Sequence, residues 1–279
     1  MGYRLGIYEK AMPGELSWKE KLKCAKDAGF DFVEISIDES DSKLERLECP
    51  DKYRRELFKA SEHAGISVGS MCLSGHRRFP LGSSDPKIER RSLDIMEKAI
   101  VFASECGIRI IQLAGYDVFY DEKSSPETRE RFINNLRKSS LIASEYGVML
   151  ALETMENDFC NTASKALAFV KAVDSPWLKI YPDIGNIYNG TDDPQGDIRA
   201  CAGSIVAAHL KETKPGVFSD LFYGEGRVDF GESVKTLFGV GVRRFNAEFW
   251  YKGEKDWPDR LVNAGRFLRK YLDAEDERI

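Results

Sequence analysis

Along the chain, stretches with apolar residues at helical spacing alternate with short runs that are apolar at almost every position. Glycine marks the switch. Gly29 precedes the run from Phe30 to Ile37, Gly65 that from Ile66 to Met71, Gly107 that from Ile108 to Leu113, and Gly147 that from Val148 to Leu152; Gly241 precedes the run ending at Glu248. Glycine ends a helix because it enters the left-handed conformation without a Cβ clash. Runs apolar on both faces suit strands covered by helices. Helix starts are marked as well. Ser17 and Glu20 form a capping-box pair, and Asp85-Pro86 and Ser125-Pro126 each place a capping residue before a proline at the first helical position.

This pattern predicts strands near 3–8, 31–37, 66–72, 108–114, 148–153, 178–183, 205–210 and 245–249. It predicts helices near 17–28, 51–64, 86–106, 127–146, 162–173, 195–202, 231–239 and 256–274. Eight of each in alternation predict one α/β domain over residues 1–279, a closed (β/α)8 TIM barrel. An open doubly wound sheet would carry a phosphate-binding glycine loop after the first strand, and Gly6-Ile7-Tyr8-Glu9-Lys10 does not supply one.

Charge and cysteine usage narrow the setting. A net charge of −5 gives no general attraction to nucleic acid or an anionic membrane. No apolar run approaches the ~20 residues needed to span a bilayer, and the segment from Met1 to Gly6 lacks a signal-peptide core. Cys24, Cys49, Cys72, Cys106, Cys160 and Cys201 include no Cys-x-x-Cys pair, which predicts reduced thiols in a cytoplasmic protein.

The chemistry concentrates at the ends of the last four predicted strands. Glu153, Asp183, His209 and Glu248 follow one another at intervals of 30, 26 and 39 residues, close to the roughly 30 residues or more of one strand and its crossover helix. Barrel active sites lie at the carboxyl ends of such strands. Three carboxylates packed there would repel one another unless a cation neutralised them. One divalent metal ion is therefore the expected cofactor, and an oxygen-rich set with one imidazole suits Zn²⁺, Mn²⁺, Mg²⁺ or Co²⁺. Lys211, two residues beyond His209, falls on the same strand face and is a candidate for substrate binding. Trp250, two residues beyond Glu248, is a candidate stacking platform for a substrate. After the third strand, His76-Arg77-Arg78 is a candidate phosphate clamp. Gly224-Glu225-Gly226 offers backbone amides near the usual barrel phosphate site, but Glu225 would repel an anion.

At these residues the chain resembles the L-ribulose-5-phosphate 3-epimerase (L-xylulose-5-phosphate 3-epimerase) family of the xylose-isomerase-like barrel superfamily. The resemblance runs along nearly the whole chain and is most specific from Ser74 to Ser83, from His209 to Phe218 and from Gly224 to Phe230. It implies a metal held by Glu153, Asp183, His209 and Glu248, with Glu153 and Glu248 doubling as the catalytic acid/base pair. It also implies that the loop after the first strand, with Glu9 and Lys10, shares in phosphate binding. Epimerases of unphosphorylated ketoses often carry a histidine three residues after the metal aspartate, where this chain has Asn186.

The expected reaction is inversion at C3 of a ketopentose 5-phosphate, L-xylulose 5-phosphate or L-ribulose 5-phosphate, through a cis-enediolate. A small-molecule sugar phosphate is the expected partner, with no nucleic acid or membrane, and a homodimer is expected by analogy. The alternatives are an aldose–ketose isomerase or an unphosphorylated-ketose 3-epimerase of the same superfamily. A non-catalytic sugar-phosphate sensor would not need two carboxylates. Hydrolysis of the endonuclease type calls for more histidines than His63, His76 and His209.

Overall fold

The five glycines expected to stop helices all have positive φ, from 63° at Gly147 to 91° at Gly241, in a computed structural model that describes residues 2–48, 50–219 and 221–278. Met1 and Cys49 lie outside the described residues; the other five cysteines are free thiols. The strands are β1 (Arg4–Tyr8), β2 (Phe32–Ile37), β3 (Ser67–Leu73), β4 (Ile110–Ala114), β5 (Met149–Glu153), β6 (Leu178–Tyr181), β7 (Ala208–Leu210) and β8 (Arg244–Ala247). The helices are α1 (Trp18–Asp27), α2 (Asp41–Glu48), α3 (Pro50–Ala64), α4 (Pro86–Glu105), α5 (Pro126–Tyr146), α6 (Ala163–Val173), α7 (Ile184–Gly190), α8 (Pro194–Arg199), α9 (Phe230–Gly239) and α10 (Trp257–Asp276).

All strand pairs are parallel, in the order β6-β5-β4-β3-β2-β1-β8-β7. Two parallel bridges, Ile180 with Ile205 and Asp183 with His209, join β6 to β7 and complete the ring. The fold is thus the expected (β/α)8 TIM barrel. Among the described residues, no helix is long and apolar enough to cross a membrane.

The helix starts follow the local chemistry. At α1, Glu20 N–H donates to Ser17 Oγ (3.3 Å) and Ser17 N–H donates to Glu20 Oε2 (2.8 Å), which closes the capping box. Asp85 and Ser125 cap α4 and α5, each with proline in the first turn. Ser17→Ala is expected to lower the unfolding free energy by about 1 kcal/mol; urea denaturation measures it, and an unchanged midpoint would count against the cap.

Two helices escape the sequence pattern. The run Asp41–Glu48 offers only Leu44 and Leu47 to the core, too few to show a period. In α7, two glycines within seven residues disguise a helix that Asp183 starts. The strands also differ from expectation. Their outward positions, such as Leu5, Ile7, Val33, Ile35, Leu150 and Leu152, do pack against the helices as one apolar core. Their inward positions are not uniformly apolar. Glu34, Ser70, Gln112, Glu153, Tyr181, His209 and Asn246 are all buried. Glu34 on β2 hydrogen-bonds residues of β3, β6, β7 and β8, which only the inside of a closed barrel permits. The barrel floor is filled by Phe32, with the Arg244 guanidinium 4.0 Å from its ring centre. Gly6 leaves the room: a Cβ there would lie 2.2 Å from the Phe32 ring.

Candidate active site

Glu153 is the last residue of β5, Asp183 follows β6 as the N-cap of α7, His209 lies within β7, and Glu248 follows β8. Parallel strands bring these ends to one rim. Register does the rest, because Asp183 pairs with His209, and His209 with Asn246. One ligand atom from each of the four lies within 4.8 Å of all the others, and all four residues are buried.

Each side chain is held by local structure. Asn186 N–H donates to Asp183 Oδ1 (3.0 Å), so the helix start occupies one carboxylate oxygen and leaves Oδ2 toward the cluster. This approach needs Gly185, since a Cβ there would lie 2.6 Å from Thr213 Cγ2 and 2.8 Å from the Lys211 carbonyl. Gln112 on β4 donates to Glu153 Oε2. His209 Nδ1 lies 2.6 Å from Glu153 Oε1 and 3.3 Å from Glu248 Oε2, while Nε2 lies 2.6 Å from Glu34 Oε1. Lys211 Nζ lies 2.6 Å from Asp183 Oδ2 and 3.8 Å from Glu248 Oε2.

The electrostatics are those of a site with surplus negative charge. Burial, and then Glu248 and Glu153, raise the Asp183 carboxyl to about 8 against the pull of Lys211. Burial also raises Glu153, although His209 opposes it. Glu248 is held below the usual carboxylate range despite its burial, by His209 and Lys211. Burial alone would deprotonate His209, but Glu248, Glu34 and Glu153 hold its pKa well above the usual imidazole range. Asp183 Oδ2 and Glu248 Oε2 accept no well-directed hydrogen bond from the described residues. Three buried carboxylates and an imidazole, each with a ligand atom within 4.8 Å of the others, fit a divalent cation.

A cavity of about 510 Å³ opens above the cluster. Glu153, Glu248 and Lys211 form its floor, and Tyr8, Cys72, Asn186 and Trp250 stand around them. The Lys211 ammonium lies 5.8 Å from the Trp250 ring centre. Asn186 Nδ2 donates to the Thr154 carbonyl (2.8 Å), and its Oδ1 has no partner among the described residues. Lys10, Ser74 and Arg77 supply another part of the wall.

The expected phosphate clamp is not brought together as a unit. Gly75–Arg77 forms a 3₁₀ turn, which rotates successive side chains by about 120°. Only Arg77 of the three reaches the cavity. His76 is buried with Nε2 3.1 Å from the Ser92 carbonyl, and burial lowers its pKa to about 4, so at neutral pH it carries no charge for an anion. Arg78 points outward to Asp41 (2.7 Å). Glu9 is also structural: its buried carboxylate accepts from Lys21, Lys43, Arg46 and the Ser36 amide. Lys10 beside it faces the cavity and pairs with Asp38 at 2.5 Å. The amides of Gly224 and Val228 are consumed by the buried Glu212 carboxylate, at 2.9 and 3.1 Å.

Glu34 and Gln112 were missed by sequence reasoning. A polar residue inside an apolar strand is a signal for each, but it names no partner.

A family profile described as "Xylose isomerase-like TIM barrel" matches residues 22–271. The L-ribulose-5-phosphate 3-epimerase UlaE of Escherichia coli (strain SE11) is 50% identical over 266 residues, covering 95% of this chain and 93% of that protein. The protein of the same name from Shigella sonnei (strain Ss046) is 47% identical over the same shares. Among solved structures, an L-ribulose 3-epimerase matches with a TM-score of 0.79 at 21% identity, over 100% of this chain and 97% of that one. D-Psicose 3-epimerase from Clostridium cellulolyticum H10 matches with a TM-score of 0.80, also at 21% identity, over 96% and 99%. At that identity the two structures speak for the fold.

Proposed function

Since the chain belongs to the L-ribulose-5-phosphate 3-epimerase family of xylose isomerase-like TIM barrels, we propose that it is an isomerase inverting C3 of a ketopentose 5-phosphate, interconverting L-ribulose 5-phosphate and L-xylulose 5-phosphate. One observation carries this reading. Two buried glutamates, from strands separated by two others, face a single cavity beside an aspartate–histidine pair.

Glu153, Asp183, His209 and Glu248 would hold one divalent ion, Zn²⁺, Mn²⁺, Mg²⁺ or Co²⁺. When bound, it supplies positive charge against the oxygens of a cis-enediolate. The chain supplies the proton transfers. One glutamate removes the C3 proton from one face, and the other returns a proton to the opposite face, which inverts the centre without the sugar turning over. The Lys211 ammonium and the open Asn186 Oδ1 provide a donor and an acceptor for substrate hydroxyls. Trp250 and Tyr8, 6.0 Å apart between ring centres, provide an apolar wall. We assign the phosphate to Lys10, Arg77 and the Ser74 hydroxyl, which also line an adjoining hollow of about 220 Å³. His76 and Arg78 take no part in this assignment.

Turnover in D₂O tests the reading. Deuterium is expected to enter C3 of both epimers, to stop entering after chelation, and to enter again on adding back a divalent ion. Inversion without exchange would reject the two-base reading. Label moving between C1 and C2 would point to an aldose–ketose isomerase instead.

A further inference from the structure

The Glu34 carboxylate lies inside the barrel beneath the four-residue cluster and is fully enclosed. It is nevertheless saturated with donors. Its Oε1 accepts from His209 Nε2 (2.6 Å) and Asn246 Nδ2 (2.9 Å). Its Oε2 accepts from Ser70 Oγ (2.7 Å) and Tyr181 Oη (3.1 Å). These donors come from β7, β8, β3 and β6, so the carboxylate is clamped from four sides. A group held so tightly presents a fixed acceptor to whatever faces it. What faces it is the imidazole edge opposite Glu153 and Glu248.

We propose that Glu34 is the positioning residue of the metal centre: by accepting the Nε2 proton of His209 it fixes Nδ1, 2.6 Å from Glu153 Oε1, as the nitrogen that would give up its proton to a divalent ion among Glu153, Asp183 and Glu248, and so sets the affinity for that ion. This rests on the metal reading of the cluster given above. The physical reason is that neutral imidazole has one donor and one acceptor nitrogen, and the partner of the first decides the direction of the second. A carboxylate behind a ligating histidine also strengthens its lone pair, and loss of such a partner costs about 10–100-fold in metal affinity. Tyr181 contributes by orientation. Its ring packs against His209 at 4.7 Å between centres, and its hydroxyl holds Glu34 Oε2.

The test is a Zn²⁺ titration of chelator-stripped protein by calorimetry, without substrate. Glu34→Gln keeps the shape and one acceptor but removes the charge, and the Ser70 and Tyr181 hydroxyls can rotate to accept from the new amide. Its dissociation constant for Zn²⁺ is expected to rise about 10–100-fold. Tyr181→Phe is expected to shift the affinity the same way by a smaller factor, and it serves should Glu34→Gln not fold. A third readout is direct. With three histidines in the chain, ¹⁵N spectra of Zn²⁺-loaded wild-type protein should show His209 protonated at Nε2. Zn²⁺ affinities of both variants within twofold of wild type, or a His209 ring protonated at Nδ1, would overturn the proposal. Because no substrate is present, the titration stands or falls separately from C3 inversion.

Discussion

A Glu153→Gln enzyme is expected to turn over about 10²–10⁴-fold more slowly than wild type, and Glu248→Gln by a similar factor. The amide is isosteric but cannot accept a proton. In Glu153, the two oxygens already meet Gln112 and His209, so the amide can satisfy the same neighbours and the fold should survive. Both residues also belong to the metal-capable set, so rates must be compared with metal content measured and saturated. The diagnostic result is asymmetric. With one base left, the C3 proton of one epimer should still exchange with solvent, while inversion is lost. The epimer that exchanges in each variant identifies the glutamate serving that face. Fully loaded variants that invert at the wild-type rate would sink the assignment of these two residues.

The second large effect lies outside the chemistry. Glu9→Ala is expected to cost about 3–5 kcal/mol of stability, because removing one partner of a buried ion cluster leaves uncompensated charge. Glu9 is 1% exposed and faces Lys21 at 2.9 Å, Lys43 at 2.6 Å and Arg46 at 2.7 Å. Arg46 also stacks 5.1 Å from the Trp18 ring centre, so the cluster ties α1 and α2 to the end of β1. In a domain of this size the loss corresponds to a fall of roughly 10 °C in Tm. Its pH dependence has a definite sign. Burial opposes ionisation of Glu9, but Arg46, Lys43 and Lys21 together hold its carboxyl below the usual range. The stabilisation is therefore fully present above the ordinary carboxylate value of 4.5, and it declines as pH falls below that value toward the depressed one. Urea denaturation of both proteins at neutral pH and near pH 3 should show the gap narrowing. A gap below about 1 kcal/mol at neutral pH would show the cluster to be dispensable.

Glu9 shows what kind of inference fails from sequence. The loop after the first strand was expected to help bind phosphate, and neighbouring residues divide between two roles: Lys10 faces the cavity and Glu9 locks the scaffold. His76, Arg77 and Arg78 divide the same way, because a 3₁₀ turn sends adjacent side chains in different directions. Residue type suggested a clamp; direction dissolved most of it. The Asp183 carboxylate lies at the other extreme. Its strand-end position was legible from the apolar run before it, and the structure adds that the same side chain starts α7 through Oδ1, which leaves Oδ2 facing the cluster, where it pairs with Lys211.

The sequence by itself determined the alternation of strands and helices, the glycine and proline punctuation, and the spacing that places Glu153, Asp183, His209 and Glu248 at successive strand ends. These are local matters: backbone preference, cap chemistry and the period of the apolar positions all act within a few residues. Only the tertiary structure decided that Glu34 meets His209 across 175 positions, that Gln112 meets Glu153, and that Arg77 enters the cavity while His76 does not. Those contacts depend on closing the ring and on the register between strands, and side-chain parity along one strand says which residues face inward but not which of them will touch.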